Sequence, residues 1–152
     1  MIKINIISNN TAWFRYLKNP FDFIKKRNRK INKKFKKHKK NIIHCTLLLS
    51  GDKEIKELNK KFRKKNKTTD VLSFPFYNYE DLKLRLKKEK EIYLGDIIVN
   101  LNKIKNKKNN FESEFNKLWV HGLVHLFGHD HQNDKDFYRM KRVEKKFLEY
   151  LG

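Results

Sequence analysis

Apolar and polar residues alternate from the first positions of the chain, with Ile2, Ile4 and Ile6 recurring at the period of two that predicts a strand. The period then lengthens. Phe21, Ile24, Ile31 and Phe35 recur at near-helical spacing with lysines and arginines on the other face, which predicts an amphipathic helix over residues 22–40. Residues 42–49 are a run of β-branched and large apolar side chains ending at Ser50-Gly51, and they read as a second strand. Asp52 is placed to cap a helix that turns Ile55, Leu58 and Phe62 toward the core and ends near Asn66. Residues 70–76 form a third strand. Pro75 cannot donate to a ladder, so it belongs at a strand end or a sheet edge.

The charged stretch 77–91 reads as a loop with at most a helical turn around Leu82 to Leu86, before a fourth strand over 92–100. Residues 112–127 predict a helix carrying Phe115, Leu118 and Trp119. Asp134 is placed to cap a last helix with Phe137, Met140, Val143, Phe147 and Leu151 on one side. Four strands and four or five helices in 152 residues, without repeat or linker, imply one α+β domain over residues 1–152, a mixed four-stranded sheet packed against helices.

Composition narrows the partners. The chain has 38 basic and 17 acidic residues and a net charge of +21, which predicts attraction to RNA or DNA. Lysine, asparagine, isoleucine and phenylalanine dominate, so part of this charge follows from a biased composition, yet the remainder exceeds what solubility requires. No apolar run approaches the ~20 residues that span a bilayer, and the amino-terminal residues lack the apolar core of a signal peptide. The single Cys45 excludes an internal disulfide. A cytoplasmic location is therefore expected, with no membrane association.

The candidate chemistry lies in His121-Gly122-Leu123-Val124-His125-Leu126-Phe127-Gly128-His129-Asp130-His131, which holds four of the six histidines. His121 and His125 fall on one helix face a turn apart. Gly128 supplies a left-handed residue that ends the helix and lets the chain return His131 to the same point. Three imidazoles suit zinc and leave a fourth tetrahedral position for water, the arrangement of a catalytic rather than a closed structural site. A metal there can lower the pKa of bound water toward ~7. His129 is an alternative or additional third ligand. The spacing is similar to H-E-x-x-H-x-x-G-x-x-H zinc proteases, but position 122 is glycine rather than the glutamate that serves those enzymes as base, which disfavours peptidase chemistry.

Three motifs in order resemble the YbeY family of bacterial zinc-dependent endoribonucleases. They are the histidine segment, then Leu58-Asn59 through Phe62-Arg63 to Thr69-Asp70-Val71-Leu72-Ser73-Phe74-Pro75, and then Leu94-Gly95-Asp96-Ile97. The chain departs from the family pattern at His129, Lys64 and Thr68, where Tyr, Gly and Pro are usual. The resemblance implies one Zn2+ per chain held by His121, His125 and His131 on a central helix and its following turn, with Arg63 facing the metal across a basic cleft. A guanidinium there would fork onto the non-bridging oxygens of a phosphodiester as their charge grows.

It further implies single-strand-specific cleavage in rRNA 3′-end maturation, ribosome biogenesis and quality control. The implied partners are rRNA precursors, the ribosomal subunit and ribosomal or assembly proteins. The competing reading is a zinc-stabilised ribosome-assembly or RNA-binding factor without catalysis. Asp130 either orients a ligand histidine or stabilises the turn. Ser73 and Asp96 fall in motif segments and could line the cleft, while Trp13, Tyr77 and Trp119 could stack bases, core packing being the stronger expectation for Trp119.

Overall fold

A computed structural model describes residues 1–152. The strands β1 (Ile2–Ser8), β2 (Ile42–Ser50), β3 (Val71–Pro75) and β4 (Glu91–Asn100) form one mixed sheet in the order β1-β2-β4-β3. β1 and β4 run parallel to β2, and β3 pairs antiparallel with β4, which places Pro75 on an edge strand as its chemistry demands. The helices are α1 (Pro20–Lys34), α2 (Asp52–Arg63), α3 (Tyr79–Lys88), α4 (Lys107–Leu126) and α5 (Asp134–Leu151). The α+β class and the mixed four-stranded sheet expected from the sequence are both present.

One face of the sheet carries the main core. Ile43, Cys45, Leu47 and Leu49 of β2 and Ile92, Leu94, Ile97 and Val99 of β4 meet α1, α3, α4 and α5 there. The other face is covered only in part, where Ile55 of α2 packs on Leu72 and Ile98. Cys45 is buried in the main core, and its burial, with the nearby Asp96 charge, pushes its thiol up to about 12.

Four sequence expectations need correction. α1 starts two residues early because Asn19 accepts hydrogen bonds from the Phe21 and Asp22 amides and Pro20 fits the first helical turn. It also ends at Lys34 rather than Lys40. Phe35 leaves the helix in an extended conformation and seats its ring against Phe147 and Phe127, at 5.2 and 5.8 Å between centroids, beyond which only a basic run remains. The stretch expected to be a loop contains α3. Asn78 caps it by accepting from the Asp81 amide, and Leu82 and Leu86, one turn apart, anchor it on the core, so two apolar contacts suffice for a helix whose other residues are solvated.

The caps of α2 and α5 are Gly51 and Asn133, one residue before the aspartates expected in those places. Finally, Phe62 does not face the core. Along α2, Ile55 is buried and Leu58 half-buried, whereas Phe62 is 59% exposed. Both tryptophans are core residues. Trp13, in a 3-10 turn over Thr11–Arg15, is fully buried and donates its indole N–H to Ser50 O at 3.1 Å, so neither it nor Trp119 can stack on a base. No helix is long and apolar enough to cross a membrane.

Candidate metal centre

α4 lies across β3 and β4, and Gly122 permits that approach. A Cβ at this position would stand 2.5 Å from Ile97 Cγ2, so the helix could not sit as close to the sheet with any larger residue. The same contact leaves no space for a glutamate beside the first histidine, in agreement with the expectation against peptidase chemistry. With Gly122 against the sheet, His121 and His125 project from the helix on one side, half-buried, with their Nε2 atoms 3.1 Å apart. The helix then ends. Gly128 donates its amide to His125 O at 2.9 Å with φ +89°, the left-handed conformation expected of it, and a Cβ there would meet Tyr79 Cα at 2.6 Å.

The returning chain brings His131 alongside, and the candidate ligand atoms of His121, His125 and His131 all lie within 4.8 Å of one another, close enough to hold one metal ion. The alternative third ligand is not in this group. His129 turns its ring toward Tyr79, 5.8 Å between centroids. Asp130 is exposed and accepts from the His131 amide at 2.8 Å, so it braces the turn and orients no imidazole.

Partners on the far side of two rings settle their tautomers. His121 Nδ1 donates to Glu144 Oε1 of α5 at 2.7 Å, and His125 Nδ1 donates to the carbonyl of His129 at 2.9 Å. With both protons held at Nδ1, the two Nε2 atoms turn bare lone pairs toward each other at 3.1 Å, and a cation at their convergence removes the repulsion. The residues present therefore fit a divalent metal ion. Burial, and then the neighbouring His121, hold the His125 imidazole below the ordinary histidine value, which favours the neutral, ligating form. Burial pushes the Glu144 carboxyl up, but the hydrogen bond from His121, with the Lys141 charge acting the same way, outweighs it and leaves the group below the usual carboxylate range.

Sequence reasoning missed Glu144. A signal existed, since residues 140, 144, 147 and 151 form the apolar stripe of α5 and Glu144 is its one acidic member. Replacing Glu144 with Ala frees the His121 ring to rotate, and metal affinity should fall about 10- to 100-fold, as for other carboxylates that orient a ligand histidine. Competition against a chromophoric chelator measures it. An unchanged affinity would show that the contact orients nothing.

Arg63, the last residue of α2, lines the same cleft. Its Nη2 donates to Ser73 O of β3 at 2.9 Å, and it shares a cleft of about 610 Å3 with Ser73, Phe76 and the three histidines. Lys64 follows in a left-handed conformation, φ 57°, and its amide still closes the helix on Asn59 O and Lys60 O, so the departure from glycine at this position leaves Arg63 held. Asp96 does not line the cleft and accepts from the Tyr93 hydroxyl instead. Tyr77 does line it, half-buried beneath the Arg85 guanidinium at 4.4 Å.

Comparison with known proteins agrees with the motif resemblance. The profile of the family described as Endoribonuclease YbeY matches residues 9–152. A Pelagibacter ubique protein named Endoribonuclease YbeY is 39% identical over 99% of this chain and 97% of its own length. One of the same name from Ehrlichia canis is 32% identical over 100% and 94%. The solution structure of a Thermotoga maritima protein superposes with a TM-score of 0.63 at 27% identity, covering 98% of this chain and 89% of that one.

Proposed function

Because the chain belongs to the Endoribonuclease YbeY family, we propose that it is a zinc-dependent endoribonuclease that cuts single-stranded RNA, the whole of residues 1–152 acting as one catalytic domain. The observation that carries this reading is the convergence of three histidine ligand atoms within 4.8 Å, two of them with their protons held on the far side of the ring. His121, His125 and His131 hold the ion, one per chain. Bound zinc supplies a Lewis acid and an acidified water at neutral pH.

The chain's own residues do the rest. Glu144 and the His129 carbonyl hold the imidazoles aimed, each accepting the Nδ1 proton on the side away from the ion. Arg63 receives the scissile phosphate, and its fixed charge and planar fork match the non-bridging oxygens better as their charge grows, which lowers the barrier rather than only tightening binding. Its hydrogen bond to Ser73 O leaves the other guanidinium donors for the phosphate. The net charge of +21 draws in the polyanion. The family resemblance supports precursors of ribosomal RNA as the substrate, in 3′-end maturation and ribosome quality control, with the ribosomal subunit and its assembly proteins as partners in a cytoplasmic setting.

Metal content read together with cleavage tests the proposal. Chelator-treated protein should lose both its zinc and its cleavage of single-stranded RNA, and stoichiometric zinc should restore both. Cleavage that persists in metal-free protein would defeat the reading. Stoichiometric zinc with no cleavage of any single-stranded RNA would favour an RNA-binding assembly factor in its place.

A further inference from the structure

A second feature of the cleft wall is unused by the metal chemistry. Phe62 and Phe76 are 59% and 58% exposed, and they are not scattered singly over the surface. Phe62 stands edge-on to Phe74 at 5.6 Å between centroids, and Phe76 rests against Tyr93 of β4 at 5.1 Å. Residues two apart on a strand share a face, and the Phe76 amide extends the ladder by donating to Leu94 O, so Phe74 and Phe76 point the same way from the edge of the sheet. That is the face α2 covers only in part.

The row is continuous with the proposed active site. Arg63 lies between the two, its guanidinium 5.6 Å from the Phe74 ring centroid while it donates to Ser73 O, and Phe76 itself lines the histidine cleft. The surroundings are cationic: Lys60, Lys61, Arg63, Lys64, Lys65 and Lys67 flank Phe62 in sequence, and Lys61 Nζ sits 5.3 Å from its ring. Exposed ring faces interspersed with cations match bases joined by phosphates. A protein partner would instead favour a patch whose centre is poor in lysine.

Resting on the endoribonuclease reading, we infer that Phe62 and Phe76 form a stacking platform that holds unpaired bases of the RNA next to the cleavage site. Both faces of a base inside a duplex are already covered by its neighbours. The platform therefore selects single strands, and it does so without reading sequence, because every base offers a π-face.

Binding tests this separately from cleavage. The probe is a labelled 2′-O-methyl phosphorothioate oligoadenylate, which resists hydrolysis, with its duplex as comparison, titrated into zinc-loaded protein at constant ionic strength. Phe62→Leu and Phe76→Leu keep apolar bulk at exposed positions and should each weaken single-strand binding about tenfold. Duplex affinity should stay unchanged, and Phe76→Trp should bind the single strand at least as tightly as the parent. Leucine variants that bind the single strand like the parent would overturn the platform, as would an equal loss for both probes. If those variants instead lost self-association in sedimentation while keeping RNA affinity, the patch would be a protein contact. Parent protein that neither binds nor cleaves single-stranded RNA would sink the endoribonuclease reading itself, an outcome distinct from equal binding by parent and variants.

Discussion

His125→Ala protein should cleave single-stranded RNA at least about a thousandfold more slowly than the parent, because the variant loses the middle ligand of the trio and with it several kcal/mol of metal-derived stabilisation of the transition state. Two remaining imidazoles, one on the helix and one on an exposed turn, bind zinc far more weakly than three. The side chain is half-buried at the helix surface, so the fold should survive its removal, although the His129 carbonyl loses its donor. Zinc stoichiometry, cleavage rate and thermal melting measured on one preparation separate these effects. The expected pattern is little zinc, little cleavage and a modest fall in melting temperature. Full zinc with parental cleavage would remove His125 from the site.

The pH dependence has a definite sign. The folded His125 imidazole is held below its ordinary value, so its contribution to stability is present above that value and is lost as the pH falls through the folded one. Protons then compete with the metal for the same nitrogen, and zinc should dissociate from the parent on mild acidification.

Substitution of Arg63 should act on rate and leave the metal in place. Arg63→Glu sets a carboxylate where the phosphate must sit, and we expect kcat/KM for RNA cleavage to fall by more than about 10²-fold, the cost of losing one well-aimed donor, with added repulsion. Arg63→Lys keeps the charge but loses the fork and should fall between the two. Zinc content should equal the parent's in both, since Arg63 contacts Ser73 O and no histidine. A raised KM alone, with kcat intact, would make Arg63 a binding residue that does not act on the transition state. Parental kinetics in both variants would leave it a solvated helix charge.

Much of this site is written locally. His121 and His125 are four residues apart on a helix with 3.6 residues per turn, and Gly128 occupies the position where the chain must turn left-handed, so the spacing alone places two ligands on one face and returns the third. The strands were legible for the same reason, since a period of two or an unbroken β-branched run survives whatever the neighbours do. α3 was hidden because its apolar anchors are only Leu82 and Leu86, and their worth depends on a core that the local pattern does not describe.

Glu144 and Arg63 reached the site through contacts 23 residues from His121 and 10 residues from Ser73, pairings set by how α5 and α2 pack rather than by either helix's own sequence. Periodicity showed that Phe62 lies on the apolar side of α2. It could not show that the covered part of the sheet ends before the last turn of that helix, which leaves the ring in water beside the cleft. Short-range backbone geometry thus determined the histidine cluster and most elements from sequence alone. Only the tertiary structure decided what faces those ligands and which apolar residues stay exposed, because burial is a property of the surfaces that meet and not of any one segment.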